Sequence, residues 1–278
     1  MNIKTIPFYI MLAICTVFNL HPASGAPAID QKPIVVIIPS YNNRNYYQKN
    51  LDSIIAQNYD NYHVIYIDDL SQDRTGALVR SYIEKRRLSH RITLIENKQR
   101  QGTLANLYNA IHACPDNAII ITVDGDDWLH NSEVFNIINC AYADPNVWIT
   151  FGQFIFHPDG RVGYCRDIAD NEFTRDRRWC HVATHMRTFY AGLFKKIKRE
   201  DLLQEDGHFF AVTWDKAMMA PMLEMANRRW KFIPDIVYVY NFTNPLSDAR
   251  LYGNQQVATA ELIYNKEQYL PLAGPLPY

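Results

Sequence analysis

Ala118-Ile119-Ile120-Ile121-Thr122-Val123-Asp124-Gly125-Asp126-Asp127-Trp128 is the stretch on which the fold turns. Its β-branched first half predicts a buried strand, and three carboxylates follow where that strand ends. Like charges this close disfavour one another's ionisation unless a cation offsets them. Hard oxygen ligands of this type suit Mg²⁺ or Mn²⁺. The competing reading is an acidic turn ahead of a helix starting near Asn131, because Asp and Gly favour turns and acids favour helix N-termini. The surrounding sequence has to decide between the two.

Working outward, a strand-and-turn pattern recurs. Pro33 to Pro39 is a β-branched run ending in a proline, followed by the polar turn Ser40-Tyr41-Asn42-Asn43. Tyr47, Leu51, Ile54 and Ile55 then recur at helical spacing, predicting a helix over 45–57. His63 to Ile67 predicts a second strand, running into Asp68-Asp69-Leu70-Ser71-Gln72-Asp73 and a helix to about residue 86. Arg91 to Ile95 reads as a third strand and Gly102 to His112 as a third helix. Strand and helix in alternation predict an α/β fold with a mostly parallel, Rossmann-like sheet and helices on both faces. Ligands of open α/β sheets bind outside the carboxyl ends of the strands, where both acidic turns and Ser40 to Asn43 fall. That coincidence favours a binding site over a simple cap.

Composition narrows the partners. A formal net charge of -1 on 278 residues offers no electrostatic footprint for nucleic acid or an anionic membrane. None of the 11 glycines sits in a GxGxxG or GxxxxGK[ST] array, so any phosphate must be held by another device. In residues 1–28 an apolar run from Ile6 to Leu20 is short for a spanning helix, and small residues follow at Ala23 to Ala26. This fits a signal peptide over 1–26 cleaved near Gly25 or Ala26, with an uncleaved anchor as the alternative. A secreted, periplasmic or secretory-lumenal location follows, with membrane contact only through that segment. The mature chain would keep Cys114, Cys140, Cys165 and Cys180, which could pair in an oxidising compartment or stay as buried free thiols. No spacing among them suggests zinc.

Four segments in order, Ile37-Ile38-Pro39-Ser40-Tyr41-Asn42, Ser53-Ile54-Ile55-Ala56-Gln57, Asp68-Asp69-Leu70-Ser71-Gln72-Asp73 and Asp124-Gly125-Asp126-Asp127, resemble the family 2 glycosyltransferases of the GT-A fold. The resemblance covers residues 33 to about 151, and Leu70, where a small residue is more usual, is a mild departure in a loop. It implies that Ser40 and Tyr41 line a nucleotide pocket and that Asp69 hydrogen-bonds the base, which favours a uridine donor. The alternative for Asp68 and Asp69 is a helix-capping acid pair, which suits Asp68. Arg100 falls where the family brings a loop near the nucleotide, although a solvated basic loop is an equal alternative, and Asn106 could simply belong to its helix. Asp124 is expected to position ribose and metal, Asp126 to be the direct ligand of Mn²⁺ or Mg²⁺, and Asp127 to be a cap. Departure of a nucleoside diphosphate builds charge on its β-phosphate, which a divalent ion neutralises.

The second half is less legible. Val147 to Phe156 predicts a strand, with His157-Pro158-Asp159-Gly160 turning it back as a hairpin. Arg166 to Arg178 reads as a charged loop whose basic residues could close over a diphosphate. His181 and His185, four apart, would share a helix face. His185, ahead of an expected helix from Phe189 to Ile197, is the candidate near phosphates or acceptor and a third candidate metal ligand. Trp214-Asp215 opens a helix with Met218, Met219, Met222, Leu223 and Met225 on its buried side, which reads as packing. An acid at this point of the chain acts as general base in the family, so Asp215 is expected to take the acceptor proton, with an N-cap as the alternative. Processive members carry Q-x-x-R-W and several spanning helices. Here Ala226 precedes Arg229-Trp230, so a single transfer is expected. Asn241-Phe242-Thr243 is a glycosylation sequon.

The sequence thus predicts a GT-A domain over 33–245, with a nucleotide-binding half to 130, an acceptor half from 131, and a C-terminal tail over 246–278. The function expected is transfer of one sugar from a nucleotide-sugar donor, a UDP-sugar by preference, to a hydroxyl on a glycan, lipid or protein. The transfer is expected to be metal-dependent and inverting. Two alternatives are a non-catalytic sugar- or nucleotide-sugar-binding relative and a sugar nucleotidyltransferase. The latter usually has a Gly-rich loop where this chain has Ser40 to Asn43.

Overall fold

The computed structural model describes residues 30–174, 176–274 and 276. The signal or anchor expected over 1–26 lies outside them. The strands are β1 (Ile34–Ser40), β2 (Tyr62–Asp68), β3 (Ile92–Glu96), β4 (Ile119–Thr122), β5 (Trp128–Leu129), β6 (Ile149–His157), β7 (Arg187–Tyr190) and β8 (Trp230–Asn241). The helices are α1 (Tyr47–Ile55), α2 (Thr75–Arg86), α3 (Thr103–His112), α4 (Val134–Ala141), α5 (Ala191–Phe194), α6 (Trp214–Ala226), α7 (Asp248–Leu251) and α8 (Gly253–Tyr264). The strands form one sheet in the order β3-β2-β1-β4-β7-β6-β8-β5.

The parallel half follows from the β-branched runs. Ile34 to Ile38 are all fully buried, and because neighbouring residues of a strand point to opposite faces, both faces of β1 are covered. Ile119 to Ile121 of β4 behave identically. Register then builds the site. Ser40 of β1 lies opposite Asp68 of β2, Asp68 opposite Glu96 of β3, and Ile37 opposite Thr122 of β4. Asp124 therefore emerges beside the end of β1.

The second half departs from expectation in four places. The helix expected from Phe189 to Ile197 is instead strand β7 followed by the four residues of α5. The run Arg187-Thr188-Phe189-Tyr190 suits a strand, and it pairs antiparallel with both β4 and β6. The expected hairpin after β6 is reduced to a turn with one bridge, Ile155 to Val162, because the long partner of β6 is the parallel β8. Arg166 to Arg178 does not supply a basic lid among its described residues. Arg177 is buried and clamps Glu224 through Nε and Nη2 at 2.6 and 2.7 Å, Arg166 pairs with Glu172, and Arg178 pairs with Asp176 and Glu261. Finally, residues 246–264 are no appendage, since α7 and α8 help wall the principal cavity.

All four described cysteines are free thiols, three of them buried. Among the described residues no helix is long and apolar enough to cross a membrane. Asn241, the sequon asparagine, is 1% exposed and its side chain is hydrogen-bonded inward. The folded chain offers it to no glycosylating enzyme.

Candidate active site

A cavity of about 560 Å³ opens at the carboxyl ends of β1 and β4. Tyr41, Arg100, Asp124, Asp126, His185 and Asp215 all line it, so six of the eight residues singled out as site candidates converge there. Ser40 and Asp69 stand behind the wall. Ser40 is buried, and its Oγ accepts from Tyr66 Oη at 2.8 Å and Asn43 Nδ2 at 3.0 Å. It supports the turn from beneath.

Asp69 is 3% exposed and is used internally. Its carboxylate accepts from Asn97 Nδ2 (2.7 Å), Gln101 N (2.9 Å) and Gly102 N (3.0 Å), and lies 3.1 Å from Arg100 Nε. Burial alone would raise its pKa, but these donors hold it below the usual carboxylate range. Here Asp69 anchors the loop 97–102, and that loop delivers Arg100 to within 3.4 Å of the Tyr41 ring centre. Asn106 lies in α3 and also belongs to the same network, its Oδ1 accepting from Asn97 Nδ2 at 2.8 Å.

The acidic turn is held from several directions. Asn50, buried in α1, donates through Nδ2 to the carbonyls of Asp124 (3.0 Å) and Asp127 (2.8 Å). Tyr238 Oη donates to Asp127 Oδ2 at 2.8 Å and accepts from the Asp124 N–H at 3.1 Å. The Asn241 N–H donates to Asp127 Oδ1 at 2.7 Å, and Asn241 Nδ2 to the Asp126 carbonyl at 3.1 Å. Asp127 is therefore the buried pin joining the turn to β8 and caps no helix, α4 starting only at Val134. Gly125 is dictated by close approach, since a Cβ there would sit 2.5 Å from Asn43 Nδ2 and 2.8 Å from Ser40 Oγ.

Charge in the cavity is unbalanced. Five carboxyl groups (Asp124, Asp126, Asp127, Asp215, Asp248) face two guanidiniums (Arg100, Arg187), although burial and the charges of Asp126 and Asp124 push Asp127 well up and favour its neutral form. Burial pushes Asp126 up to about 6, the charge of Asp124 adding to it while Asn244 Nδ2, at 2.6 Å from Oδ2, opposes the rise. Asp248 is likewise pushed up to about 6 by burial and by Asp124. Asp124 goes the other way: burial would raise it, but hydrogen bonding to His185 and the charge of Arg187 outweigh that and lower it. His185 is packed among Phe154, Tyr238 and Tyr240, ring centres 5.0 to 5.2 Å away, and burial together with Arg187 lowers its pKa, favouring a neutral imidazole. It precedes β7 and shares no helix with His181, which lies in the 3-10 turn Arg177–Val182.

These residues fit a divalent cation. Asp124, Asp127 and His185 offer ligand atoms within 4.8 Å of one another, a mixed oxygen and nitrogen set suited to Mn²⁺ or Mg²⁺. Both oxygens of buried Asp127 already accept hydrogen bonds, which leaves Asp124, Asp126 and His185, lining the same cavity, as the more available ligands.

Residues 35–202 match the family described as Glycosyl transferase family 2. The chain belongs to the family 2 glycosyltransferases. A glycosyltransferase of Haemophilus influenzae is 33% identical over 247 residues, covering 85% of this chain and 70% of its own. Glycosyltransferase GlyA of Streptococcus pneumoniae is 36% identical over 198 residues, which is 65% of this chain but 27% of that protein. The chain also spans only 42% of the Bacillus subtilis protein CgeD, to which it is 23% identical. Among solved structures, Staphylococcus aureus TarS 1-349 in complex with UDP superposes with a TM-score of 0.58 at 18% identity, covering 85% of this chain and 67% of that one. Mannosyltransferase PcManGT from Pyrobaculum calidifontis, in complex with GDP-Man and Mn²⁺, gives 0.57 at 23% identity, covering 94% and 72%. The shared fold is GT-A, and membership of the family removes the nucleotidyltransferase alternative.

The family match ends before Asp215, so the place of that residue in this glycosyltransferase rests on geometry. Thr213, not Asp215, is the residue preceding α6, and it adopts φ +58°, unusual for a β-branched residue. Asp215 thus stands in the first turn with its carboxylate turned to the cavity. Arg187, missed in the sequence, joins it to the acidic turn: Nη2 lies 3.4 Å from Asp124 Oδ2 and Nη1 3.7 Å from Asp215 Oδ2, with the guanidinium 4.7 Å from the Trp214 ring centre. Its place follows from register, because Arg187 lies opposite Thr122 at the end of β4.

Proposed function

We propose that this glycosyltransferase moves one sugar from a UDP-sugar to a hydroxyl acceptor, with inversion and with a divalent metal at the acidic turn. The observation that carries the reading is that Asp215 lines two adjoining cavities, the acid-walled one and a second one beyond it. A base between donor and acceptor is what a one-step displacement requires. Asp124 and Asp126, with His185 beside them, would hold Mn²⁺ or Mg²⁺, and the ion when bound would neutralise charge on the departing diphosphate. A diphosphate has little reason to enter a cavity where Asp124, Asp126, Asp215 and Asp248 outnumber two guanidiniums unless cationic charge is added there.

The chain's own residues do the rest. Asp124 and Asp126 are fixed by Asn50, Tyr238, Asn241 and Asn244. Arg187 keeps Asp124 and Asp215 compatible as neighbouring anions. Tyr41 offers an aromatic wall for the base, while Asp69 acts through the loop that carries Arg100. The uridine preference is supported by TarS, whose structures hold UDP and UDP-GlcNAc, although PcManGT holds GDP-Man.

Release of nucleotide from a panel of UDP- and GDP-sugars, with Mn²⁺ and with EDTA, tests the reading. Mn²⁺-dependent UDP release from at least one UDP-sugar is expected. Equal release with EDTA would remove the metal from the account, and release confined to GDP-sugars would remove uridine.

A further inference from the structure

The second cavity, about 420 Å³, shares His185, Thr213, Asp215, Tyr240 and Gln256 with the first and extends away from it. Its character is different. Phe154, Phe156, Tyr164, Tyr240 and Phe242 form its wall. They meet edge to face, with ring centres 5.0 Å apart for Phe154 and Phe156, 5.6 Å for Phe154 and Tyr164, and 6.1 Å for Phe156 and Phe242. Tyr164 and Phe242 remain 58% and 43% exposed. Open aromatic surface clustered beside a reaction centre is a binding feature rather than leftover core.

The polar groups of the cavity define what could sit there. His181, Thr184, Gln256, Lys216 and Asp215 complete its lining, and His181 Nδ1 is already engaged with the Arg178 carbonyl at 2.6 Å. Asp215 and Lys216 cancel in formal charge, and Lys216 already has the Tyr264 ring, 5.3 Å from its Nζ. An alkyl chain would bury these polar groups without partners, which is costly. An anionic acceptor would meet Asp215 with one engaged lysine to offset it. A pyranose ring satisfies both sides: its C–H face packs on aromatic carbon, and its hydroxyls meet the hydroxyl, amide and charged groups. The volume lies within the ~300–1,000 Å³ typical of small-molecule sites and excludes a folded protein surface.

Resting on the glycosyltransferase reading with Asp215 as base, we propose that this cavity is the acceptor site and that the acceptor is a neutral sugar ring packed on Tyr164 and Phe242. One of its hydroxyls faces Asp215. The hydroxyl oxygen forms the new bond to the anomeric carbon of the donor, and the bond from that carbon to the diphosphate oxygen breaks. The electron pair leaves with the nucleoside diphosphate, and the hydroxyl proton passes to Asp215. The products are a glycoside and a nucleoside diphosphate, with no other reactant consumed.

Saturation-transfer NMR on the full chain with UDP and Mn²⁺ tests this, using methyl β-D-glucopyranoside, methyl β-D-galactopyranoside and methyl N-acetyl-β-D-glucosaminide as probes. Octyl phosphate and a Ser/Thr-containing peptide serve as competitors of other classes. Saturation of ring C–H protons in at least one pyranoside is expected, weakened tenfold or more by Phe242→Ala and Tyr164→Ala and retained by Phe242→Trp and Tyr164→Phe. Circular dichroism melts of all four variants separate loss of binding from loss of fold. Binding of octyl phosphate or peptide with no pyranoside signal overturns the proposal, as does pyranoside binding indifferent to both alanine changes in folded protein. A wild-type chain that binds no nucleotide yet shows aromatic-dependent pyranoside saturation would defeat the donor reading and leave the sugar site standing.

Discussion

Arg187 and Asp215 face each other at 3.7 Å on the floor of the cavity, and the same guanidinium reaches Asp124 at 3.4 Å. One buried cation thus sets the spacing between the expected base and the expected metal-binding acid. Arg187→Met should lower the rate of UDP release by roughly 10²–10³-fold, the range for loss of one preorganised electrostatic group. Arg187→Lys should recover only part, since an ammonium cannot span both carboxylates as a planar fork does. Release of UDP with Mn²⁺ present measures this, and a methionine variant within twofold of wild type would contradict the role.

Tyr238 serves the acidic turn twice, donating to Asp127 Oδ2 and accepting from the Asp124 N–H. Tyr238→Phe leaves both partners short of a hydrogen bond inside the protein. A stability loss of about 1–3 kcal/mol is expected in urea unfolding, together with weaker Mn²⁺ binding by calorimetry. Unchanged values for both would show that Asn50, Asn241 and Asn244 hold the turn without Tyr238.

The pair Arg177 and Glu224 is buried on both sides, at 2% and 4% exposure. Arg177 also donates to the carbonyls of Ile263 and Glu267, so it ties α6 to the end of α8. Removing one charge strands the other, and Glu224→Gln should cost roughly 3–5 kcal/mol. A shift in urea midpoint corresponding to less than about 1 kcal/mol would place the anchoring elsewhere.

His63 on β2 is 2% exposed, with Nε2 2.8 Å from Thr93 Oγ1. Burial, then the charges of Arg91 and His90, lowers its pKa from 6.5 to about 4. The unfolded chain therefore binds this proton first as pH falls. Stability contributed by neutral His63 is fully present above 6.5 and is lost between 6.5 and about 4. The gap corresponds to roughly 3 kcal/mol at about 1.4 kcal/mol per pH unit. His63→Gln should flatten the fall in unfolding free energy between neutral and acidic pH by about that amount. Identical slopes in wild type and variant would remove His63 as the cause.

What the sequence disclosed is local. The β-branched runs before Ser40, Asp68 and Asp124 announce three parallel strands and their common edge, because a buried strand and a polar turn are both written in adjacent residues. Asn50, Arg187, Tyr238, Asn241 and Asn244 were not announced. They reach the acidic turn across 63 to 118 residues of chain, through hydrogen bonds that leave no periodic trace. Residues 246–264 were read as part of a tail, and their apolar side chains Leu251, Val257 and Leu262 do stay exposed, yet Asp248 and Gln256 wall the cavity. His185 was found by spacing, on a helix premise that β7 replaces. Asp127 was assigned to a helix end because a carboxylate in a turn looks alike whether it caps a helix or pins a strand.

The most direct test of the account is the transfer rate of Asp215→Asn, followed as UDP release from an active UDP-sugar with Mn²⁺ and an acceptor. A fall of roughly 10²–10⁴-fold is expected, the contribution of a positioned general base, with UDP affinity in the presence of Mn²⁺ within twofold of wild type. An asparagine variant that turns over at the wild-type rate would contradict it.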